Sequence, residues 1–468
     1  MPMINLTGAY TDQYQLSMAL VYFRMGNGND QAIFDYFFRK LPFEGGYAIF
    51  AGLEDLLDTI ENLNFDQKDL EFLDQNGFPG DFLELLGNFN FSGKIFSSRE
   101  GDIVFPTRPV LRVEGSLLEA QIIETLLLNL LNFQTLIATR ASRMRMVAGD
   151  RKLVDFGLRR AQGVGGYHAS RAALIGGFDA TSNVAAGRDF QLPVSGTMAH
   201  SYIQSFENEV DAFREFARVH PKNCVLLVDT YDTLRIGIPN AIQVGKEMKA
   251  RGEQLKGIRL DSGDLAFLAL RCREMLDEAG LNDVKIAASN QLDEYVIKSL
   301  LEQAAPIDIF GVGTSLVTGQ PDAALDGVYK LAYAHGKPRI KISENIAKTT
   351  LPDRKQVYRL KDDVGNWIGA DLVALEEEKD FGMMHHPFDP GKKMQISDVD
   401  MEPLLEKVME DGHRVYEKTL PLEIADYSRS QLDKLPGAYK RFRNPHIYKV
   451  GISDGLKKLR ESLSAKNE

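Results

Sequence analysis

Short apolar runs followed by amphipathic stretches dominate the middle of the chain. The apolar runs predict strands at residues 153–157, 193–197, 224–230, 257–262, 284–289 and 308–314. Helical periodicity follows most of them, at residues 203–218, 239–251, 265–279 and 292–303. Connections this short, about two to six residues, indicate parallel strands with crossover helices, in an α/β fold.

Nearly every predicted strand ends in a polar or glycine-rich group. These ends are Asp155, Thr197, Asp229, Asp261, Asn290 and Thr314. In a βα barrel the carboxyl ends of the strands converge on one face, where the functional site lies. The pattern therefore favours a βα barrel over an open doubly wound sheet, the other arrangement that repeated βα units allow.

The regions on either side of these βα units have a different pattern of apolar and polar residues. Residues 1–115 mix aromatic-rich helical segments with short strands punctuated by Gly and Pro, which predicts an N-terminal α+β lid domain. The apolar run 117–137 contains too many polar residues for a membrane span and predicts a buried helix in a barrel domain of residues 116–330. Residues 331–468 are more charged and less periodic, end near a basic helix at 453–460, and are expected to complete part of the N-terminal domain.

Composition and charge narrow the class of protein. A hydrophobic fraction of 44% with 26% charged residues is typical of a folded globular chain. A net charge of −11 opposes nucleic acid and anionic membranes as partners, so an anionic ligand would need a local basic patch. Two cysteines cannot build a disulfide framework or a four-cysteine zinc site, and the first residues show no secretory signal. We therefore expect a cytoplasmic protein.

A local basic patch lies between residues 139 and 171. Its members are Arg140, Arg143, Arg145, Arg151, Lys152, Arg159, Arg160 and Arg171, against only Asp150 and Asp155. Guanidinium groups bind phosphate and carboxylate oxygens in bidentate fashion, so an anionic substrate would explain the patch. A solvated helix face with internal ion pairs would explain it as well.

Two strand ends carry residues suited to a phosphorylated sugar. The segment FGVGT at 310–314 closes the last clear strand with glycines that let backbone N–H groups approach a phosphate, although an ordinary turn has the same composition. In RLDSGD at 259–264, Arg259 and Asp261 share one face of a strand. They could bind an anion and ribose hydroxyls or a metal, or form a structural ion pair.

His200, in GTMAH at 196–200, follows a predicted strand end beside small and hydroxyl residues. A single histidine is more often a structural residue than a catalyst. Asp229, at the next strand end, could orient the imidazole and stabilise its charged form.

Six motifs in order resemble the nicotinate phosphoribosyltransferase family: TDQYQLSM (11–18), DFGLRR (155–160), GTMAH, DTYDT (229–233), RLDSGD and FGVGT. The resemblance spans about residues 1–330. It implies an incomplete βα barrel of the type II phosphoribosyltransferase kind, carrying a lid domain. It also implies a reaction that joins nicotinate to the phosphoribosyl group of phosphoribosyl pyrophosphate, needs Mg²⁺ and is coupled to the hydrolysis of ATP.

The resemblance implies specific roles. Nicotinate would lie between Phe156 and Tyr14, with Tyr14 coming from the partner subunit of a homodimer whose active site is shared. Arg259 and Thr197 would contact nicotinate or its surroundings, and His200 would be phosphorylated by ATP, with Asp229 beside it. The remaining substrate contacts would come from Arg159 at the ligand anions, Asp261 and Asn290 at the ribose hydroxyls, and Gly313 and Thr314 at the 5-phosphate.

Two rival functions remain. The similar nicotinamide enzyme has an aspartate where the segment FDATSN places Ser182, and an ionised aspartate would repel the carboxylate of nicotinate. The acid substrate is therefore favoured. A catalytically silent metabolite-binding barrel is the other alternative, because fold alone does not establish activity.

Overall fold

The computed structural model describes residues 6–344, 348–397 and 399–465. The chain forms two compact units: Met1–Thr139 together with Ala324–Glu468, and Arg140–Ala323. The N-terminal and C-terminal parts of the chain thus belong to one unit. The boundaries differ from those expected after residues 115 and 330, because the long helix that follows residue 123 contributes its first turns to the core of the first unit.

The helices, in chain order, are α1 (Gln13–Met25), α2 (Leu53–Glu61), α3 (Gln67–Gln75), α4 (Gly80–Gly87), α5 (Leu117–Ile122), α6 (Glu124–Ala148), α7 (Gly165–Ile175), α8 (Val184–Phe190), α9 (His200–Gln204), α10 (Glu209–Val219), α11 (Ile238–Ala250), α12 (Leu265–Glu278), α13 (Glu294–Glu302), α14 (Thr314–Val317), α15 (Pro421–Lys434) and α16 (Asp454–Ala465). None of these helices, within the described residues, is long and apolar enough to cross a membrane.

The strands, in chain order, are β1 (Gln31–Phe38), β2 (Ala48–Ile49), β3 (Lys94–Ser97), β4 (Ile103–Val104), β5 (Leu111–Ser116), β6 (Lys152–Asp155), β7 (Ala180–Thr181), β8 (Val225–Leu227), β9 (Gly257–Leu260), β10 (Lys285–Ser289), β11 (Ile309–Val312), β12 (Gly327–Ala334), β13 (Lys337–Pro338), β14 (Lys355–Lys361), β15 (Trp367–Leu375), β16 (Met383–His385), β17 (Lys393–Gln395), β18 (Asp400–Pro403), β19 (Glu406–Glu410), β20 (His413–Arg414) and β21 (Lys449–Ile452).

The first unit contains two larger sheets. One has the order β13-β12-β1-β5-β3-β19-β20 and the other has the order β17-β16-β21-β15-β14-β18. Strands from both ends of the chain therefore pair in one sheet: β1 lies between β5 and β12, antiparallel to both. The stacked rings of Phe34 and Tyr329, with centroids 4.7 Å apart, join those strands within the core.

The C-terminal sheet departs from the sequence-based expectation of weakly periodic structure. Its strand β15 is buried along most of its length and includes Asp371, which is fully buried. Asp371 accepts hydrogen bonds from Arg359 at 3.1 Å and Tyr448 at 2.8 Å and forms an ion pair with Arg108 at 2.9 Å. Charged residues in a sequence normally indicate a solvated surface. Because these charges are buried in pairs, the strand that contains them does not show the apolar pattern expected of a buried strand.

The second unit contains a half-barrel of parallel strands in the order β7-β6-β11-β10-β9-β8. If β6 to β11 are placed in chain order around a circle, each strand pairs with its neighbours on that circle except β7 and β8, which are not paired with each other. A doubly wound sheet would instead reverse its strand order at an internal switch point. The predicted α/β class and barrel-like arrangement are confirmed at this level.

Two predictions in the second unit were wrong in detail. Residues 193–197 form no strand, because only Val194 makes a bridge, to Thr181 in the short strand β7 that the sequence did not indicate. The helix predicted at 203–218 is divided into α9 and α10. The Ser205 hydroxyl donates to the carbonyl of Tyr202 at 2.6 Å, a local bond that competes with helix continuation.

Candidate active site

Arg259, on β9, lies at the centre of a polar cluster in the second unit. Its Nε donates to the Ser289 hydroxyl at 2.9 Å, and its terminal nitrogens donate to the Met198 carbonyl at 3.3 Å and to Asp261 Oδ1 at 3.0 Å. Ser289 in turn donates to Asp261. The parallel strands β9 and β10 thus bring Arg259 and Ser289 together near their carboxyl ends. The predicted Arg259–Asp261 pair exists, and it fixes the plane of the guanidinium.

An aromatic ring lies beside this guanidinium. Phe156 follows β6, and its ring centroid is 5.3 Å from the Arg259 guanidinium carbon. A Cβ built on Gly311 would stand 2.4 Å from that ring, so glycine is needed at this position of β11. Gly311 of the FGVGT motif therefore makes room for Phe156, a packing role that the sequence analysis did not assign to it.

His200 is the first residue of α9, and its side chain is 39% exposed. Its Nδ1 lies 3.0 Å from the Thr230 hydroxyl oxygen. Its Nε2 lies 3.9 Å from Asp229 Oδ1 and 3.8 Å from Asp261 Oδ2, beyond hydrogen-bond distance. The ring therefore has one hydrogen-bonded nitrogen, and its second nitrogen faces two carboxylates.

Asp229 follows β8 and is almost fully buried. Its Oδ2 accepts hydrogen bonds from the Asp261 backbone N–H and the Ser262 hydroxyl, both at 2.7 Å. Its Oδ1 is buried and has no hydrogen-bond partner among the described residues. Asp229 therefore links the ends of β8 and β9, while one carboxylate oxygen faces His200 without a proton donor.

Asp155 ends β6 but does not face the cluster. It is fully buried and accepts 2.8 Å hydrogen bonds from the Gly157 N–H and from the hydroxyls of Ser170 and Thr181. Burial raises the pKa of Asp155, and these hydrogen bonds oppose that shift. Its role is to hold the turn after β6, which places Phe156.

Most of the basic patch at 139–171 has partners within the protein. Arg140 and Arg143 both pair with the buried Glu294, and Arg145 pairs with Asp179. Arg151 donates to the Ile307 carbonyl at 3.0 Å. The interpretation as internal ion pairs therefore holds for Arg140, Arg143 and Arg145, whose charges face carboxylates, whereas Arg151 contacts a neutral carbonyl.

The other sequence-predicted residues are spread over both units. Tyr14 lies on α1 in the first unit and is 51% exposed. The remaining six lie in the second unit: Arg159, Ser182, Thr197, Asn290, Gly313 and Thr314. Of these, Arg159, Asn290 and Thr314 are exposed. Asn290 has φ 83°, a left-handed conformation that asparagine tolerates better than most residues, and Gly313 precedes the short helix α14.

Sequence reasoning missed Thr230, Ser262, Ser289 and the Met198 carbonyl. Thr230 and Ser289 are the last residues of predicted strands, so the convergence argument used for Asp229 and Asp261 could have found them. Ser262 is adjacent to Asp261 in the RLDSGD motif. A backbone carbonyl has no sequence signal.

Two further features of the described residues concern metal ligands and thiols. No group of three or more His, Cys, Asp and Glu side chains is placed to hold a metal ion within 6–344, 348–397 and 399–465. Cys224 and Cys272 are unpaired and buried, and burial raises the pKa of each thiol to about 12. Neither thiol is suited to act as a nucleophile at neutral pH.

Comparisons with known families cover nearly the whole chain. Residues 10–132 match the nicotinate phosphoribosyltransferase (NAPRTase) N-terminal domain, residues 151–366 match the nicotinate phosphoribosyltransferase (NAPRTase) family, and residues 354–460 match the nicotinate phosphoribosyltransferase C-terminal domain.

Individual proteins agree with these matches. The chain is 46% identical to the nicotinate phosphoribosyltransferase of Bacillus subtilis over 95% of this chain and 92% of that protein. It is 35% identical to the Caenorhabditis elegans nicotinate phosphoribosyltransferase over 98% of this chain and 93% of that protein. The crystal structure of human nicotinic acid phosphoribosyltransferase is similar with a TM-score of 0.87 at 31% identity, covering 97% of this chain and 99% of that one. This chain belongs to the nicotinate phosphoribosyltransferase family.

Proposed function

We propose that this protein transfers the phosphoribosyl group of phosphoribosyl pyrophosphate to nicotinate, giving nicotinate mononucleotide and pyrophosphate as the first step of NAD synthesis from nicotinate. The relatives named above carry this activity in their names. The observation in the protein that carries the proposal is the Arg259 guanidinium, fixed by Ser289, Asp261 and the Met198 carbonyl beside the ring of Phe156.

Arg259 suits a carboxylate. A guanidinium has five N–H donors, and the hydrogen bonds to Ser289, Met198 and Asp261 use three of them. The two N–H groups that remain are available for the nicotinate carboxylate, while the Phe156 ring supplies a face for the pyridine ring. Thr197 and Ser182 are proposed to add hydroxyl contacts around the acid.

The transfer step consists of attack by the pyridine nitrogen on the anomeric carbon as pyrophosphate leaves. The protein's task in that step is orientation and charge stabilisation. We assign Asp261 and Asn290 to the ribose hydroxyls, Gly313 and Thr314 to the 5-phosphate, and Arg159 to the ligand anions. The assignments of Arg159, Asp261, Gly313 and Thr314 rest on the motifs that contain them, and that of Asn290 rests on its place at the end of a predicted strand.

Mg²⁺ is proposed to accompany the pyrophosphate group. Mg²⁺ is usually held by one or two carboxylates together with substrate phosphates and water, so a dedicated protein cage is not required. Asp229, with its unpartnered Oδ1, and Asp261 fit that donor set. When bound, the ion would supply positive charge against the leaving group.

ATP is proposed as a co-substrate that phosphorylates His200 and is released as ADP and phosphate over one cycle. The ring is partly exposed, so a phosphoryl donor can reach it. The carboxylates of Asp229 and Asp261 lie within 4 Å and stabilise the positive charge that develops on the ring when a nitrogen forms a bond to phosphorus.

The substrate assignment has a direct test. Purified protein with Mg²⁺, phosphoribosyl pyrophosphate and nicotinate is expected to form nicotinate mononucleotide and pyrophosphate, with nicotinamide used much less well because it lacks the charge that Arg259 recognises. The measurement is kcat/KM for each base, with products resolved by chromatography. A preference for nicotinamide would favour the rival enzyme, and absence of both products would favour the catalytically silent barrel.

We further propose a homodimer in which Tyr14 of one subunit completes the nicotinate site of the other. Tyr14 is half-exposed, and Val21 and Met25 on the same helix are exposed too, so α1 presents an apolar surface. An incomplete βα barrel of the type II phosphoribosyltransferase kind, an N-terminal lid domain and a cytoplasmic location belong to the same proposal.

The shared site predicts complementation. Tyr14→Ala and His200→Ala variants, mixed under conditions of subunit exchange, should recover ATP-stimulated activity, because each hybrid dimer regains one site with both residues. Random exchange yields about a quarter of the wild-type number of intact sites. The measurement is ATP-stimulated activity as a function of the fraction of hybrid dimers, which native mass spectrometry determines. Full exchange with no recovery would mean that Tyr14 does not act across the dimer.

A further inference from the structure

The His200 ring is hydrogen-bonded to Thr230, and Asp229 lies too far from the ring to form a hydrogen bond with it. The Thr230 hydroxyl oxygen is 3.0 Å from Nδ1, whereas the nearest Asp229 oxygen is 3.9 Å from Nε2. Asp229 Oδ2 accepts hydrogen bonds from Asp261 and Ser262, and Oδ1 is buried without a hydrogen-bond partner among the described residues. Orientation of the ring and stabilisation of its charge are therefore separate tasks.

Thr230 is itself held in place by its segment. The Asp232 side chain accepts from the backbone N–H groups of Leu234 at 3.1 Å and Arg235 at 2.9 Å, which fixes the turn after β8. Gly237 then packs on the Val228 carbonyl so closely that a Cβ there would stand 1.9 Å from the oxygen. Contacts on both sides of Thr230 thus restrain the position of its hydroxyl.

A neutral imidazole has one N–H donor and one nitrogen with a free lone pair, and the partner of one nitrogen determines the state of the other. If Thr230 Oγ1 accepts a hydrogen bond from Nδ1–H, the lone pair is on Nε2. Nε2 has no hydrogen-bond partner among the described residues and lies on the side of the ring that faces Asp229 and Asp261.

We propose that Thr230 is a positioning residue that keeps the proton on Nδ1 of His200, so that Nε2 carries the lone pair that accepts the phosphoryl group. This inference rests on the proposed phosphorylation of His200 by ATP. In the step, the Nε2 lone pair forms the nitrogen–phosphorus bond while the bond from the γ-phosphorus to the bridging oxygen breaks and its electron pair leaves with ADP. The ring keeps its Nδ1 proton and becomes positively charged beside the two carboxylates.

The test removes the hydroxyl and then restores it. Thr230→Val keeps the shape of the side chain without a hydrogen-bond partner for Nδ1, and Thr230→Ser restores the hydroxyl. Thr233→Val is the matched control, since Thr233 lies in the same DTYDT segment and the ring is hydrogen-bonded to Thr230 instead. Loss of one hydrogen bond corresponds to a decrease of about 10-fold in the rate of phosphoenzyme formation from γ-³²P-labelled ATP.

We expect Thr230→Val to be slowed by that amount, Thr230→Ser to recover most of the rate, and Thr233→Val to match the wild type. Selective ¹⁵N-histidine labelling provides a second readout: the His200 signals, assigned with His200→Ala, should report Nδ1–H in the wild type and a mixture of tautomers in Thr230→Val.

Two results would overturn the inference in distinguishable ways. Absence of a phosphohistidine in the wild type would remove the proposed ATP coupling and this role together. Wild-type phosphorylation combined with an unimpaired Thr230→Val, or with a Thr230→Ser variant as slow as Thr230→Val, would remove the role of the hydroxyl alone.

Discussion

Replacement of Arg259 by alanine is expected to lower kcat/KM for nicotinate by about 1,000-fold, since truncation of one partner of a buried charged pair costs about 2–5 kcal/mol. The guanidinium is only 15% exposed and its three hydrogen bonds within the protein fix its orientation. Arg259→Lys should recover part of the loss, because an ammonium keeps the charge but lacks the two-pronged geometry.

Substrate comparison separates recognition from a general loss of structure. The decrease with nicotinamide should be much smaller than the decrease with nicotinate, because the amide has no negative charge to lose. Arg271→Ala is a suitable control, since Arg271 is about half exposed and pairs with Glu274 on α12. Equal losses for both bases, with unchanged circular dichroism, would mean that Arg259 supports the site without reading the carboxylate.

His200→Ala is expected to abolish ATP-dependent labelling and the stimulation of transfer by ATP while retaining slow ATP-independent transfer. Arg259, Asp261 and Phe156 still orient the reactants in this variant, so the loss should fall on coupling more than on binding. Asp229→Asn should weaken labelling without abolishing it, because it removes a charge 3.9 Å from Nε2 and leaves the ring in place. The measurements are ³²P incorporation and initial rates with and without ATP.

His220→Ala is the matched control for this variant. His220 follows α10 in the same unit, and its ring packs against Phe216. It should label and respond to ATP as the wild type does. An acid-labile phosphoenzyme in His200→Ala, with undiminished stimulation by ATP, would assign the phosphoryl group to another residue.

The parallel half-barrel was predictable because most of its strands are short apolar runs in the sequence, and most of these runs are followed within a few residues by a stretch with helical periodicity. Strand β9 and helix α12 begin where the sequence places them, and β11 lies inside the predicted 308–314. Strand β7 was not predictable, because a strand of two residues is too short to show an alternation of apolar and polar side chains. The C-terminal sheet was missed because buried ion pairs around Asp371 look like surface charge in a sequence.

The candidate site was predictable to the extent that strand ends converge. Arg259, Asp261, His200 and Asp229 meet as the convergence argument expects, and Phe156 joins them. The detail was not predictable, because it depends on three-dimensional distances. The His200 ring is hydrogen-bonded to Thr230 and not to Asp229, and Asp155 supports the turn that places Phe156 instead of facing the polar cluster.

ATP-coupled phosphoribosyl transfer through His200 can be followed in a single-turnover chase. The protein is labelled with γ-³²P-ATP, freed of nucleotide, and mixed with nicotinate and phosphoribosyl pyrophosphate, while the label on a peptide containing residue 200 is followed. We expect one acid-labile phosphate per active site on His200, released as inorganic phosphate when both substrates are present and much more slowly when nicotinamide replaces nicotinate. Label on another residue, or release of phosphate at the same rate without the substrates, would contradict it.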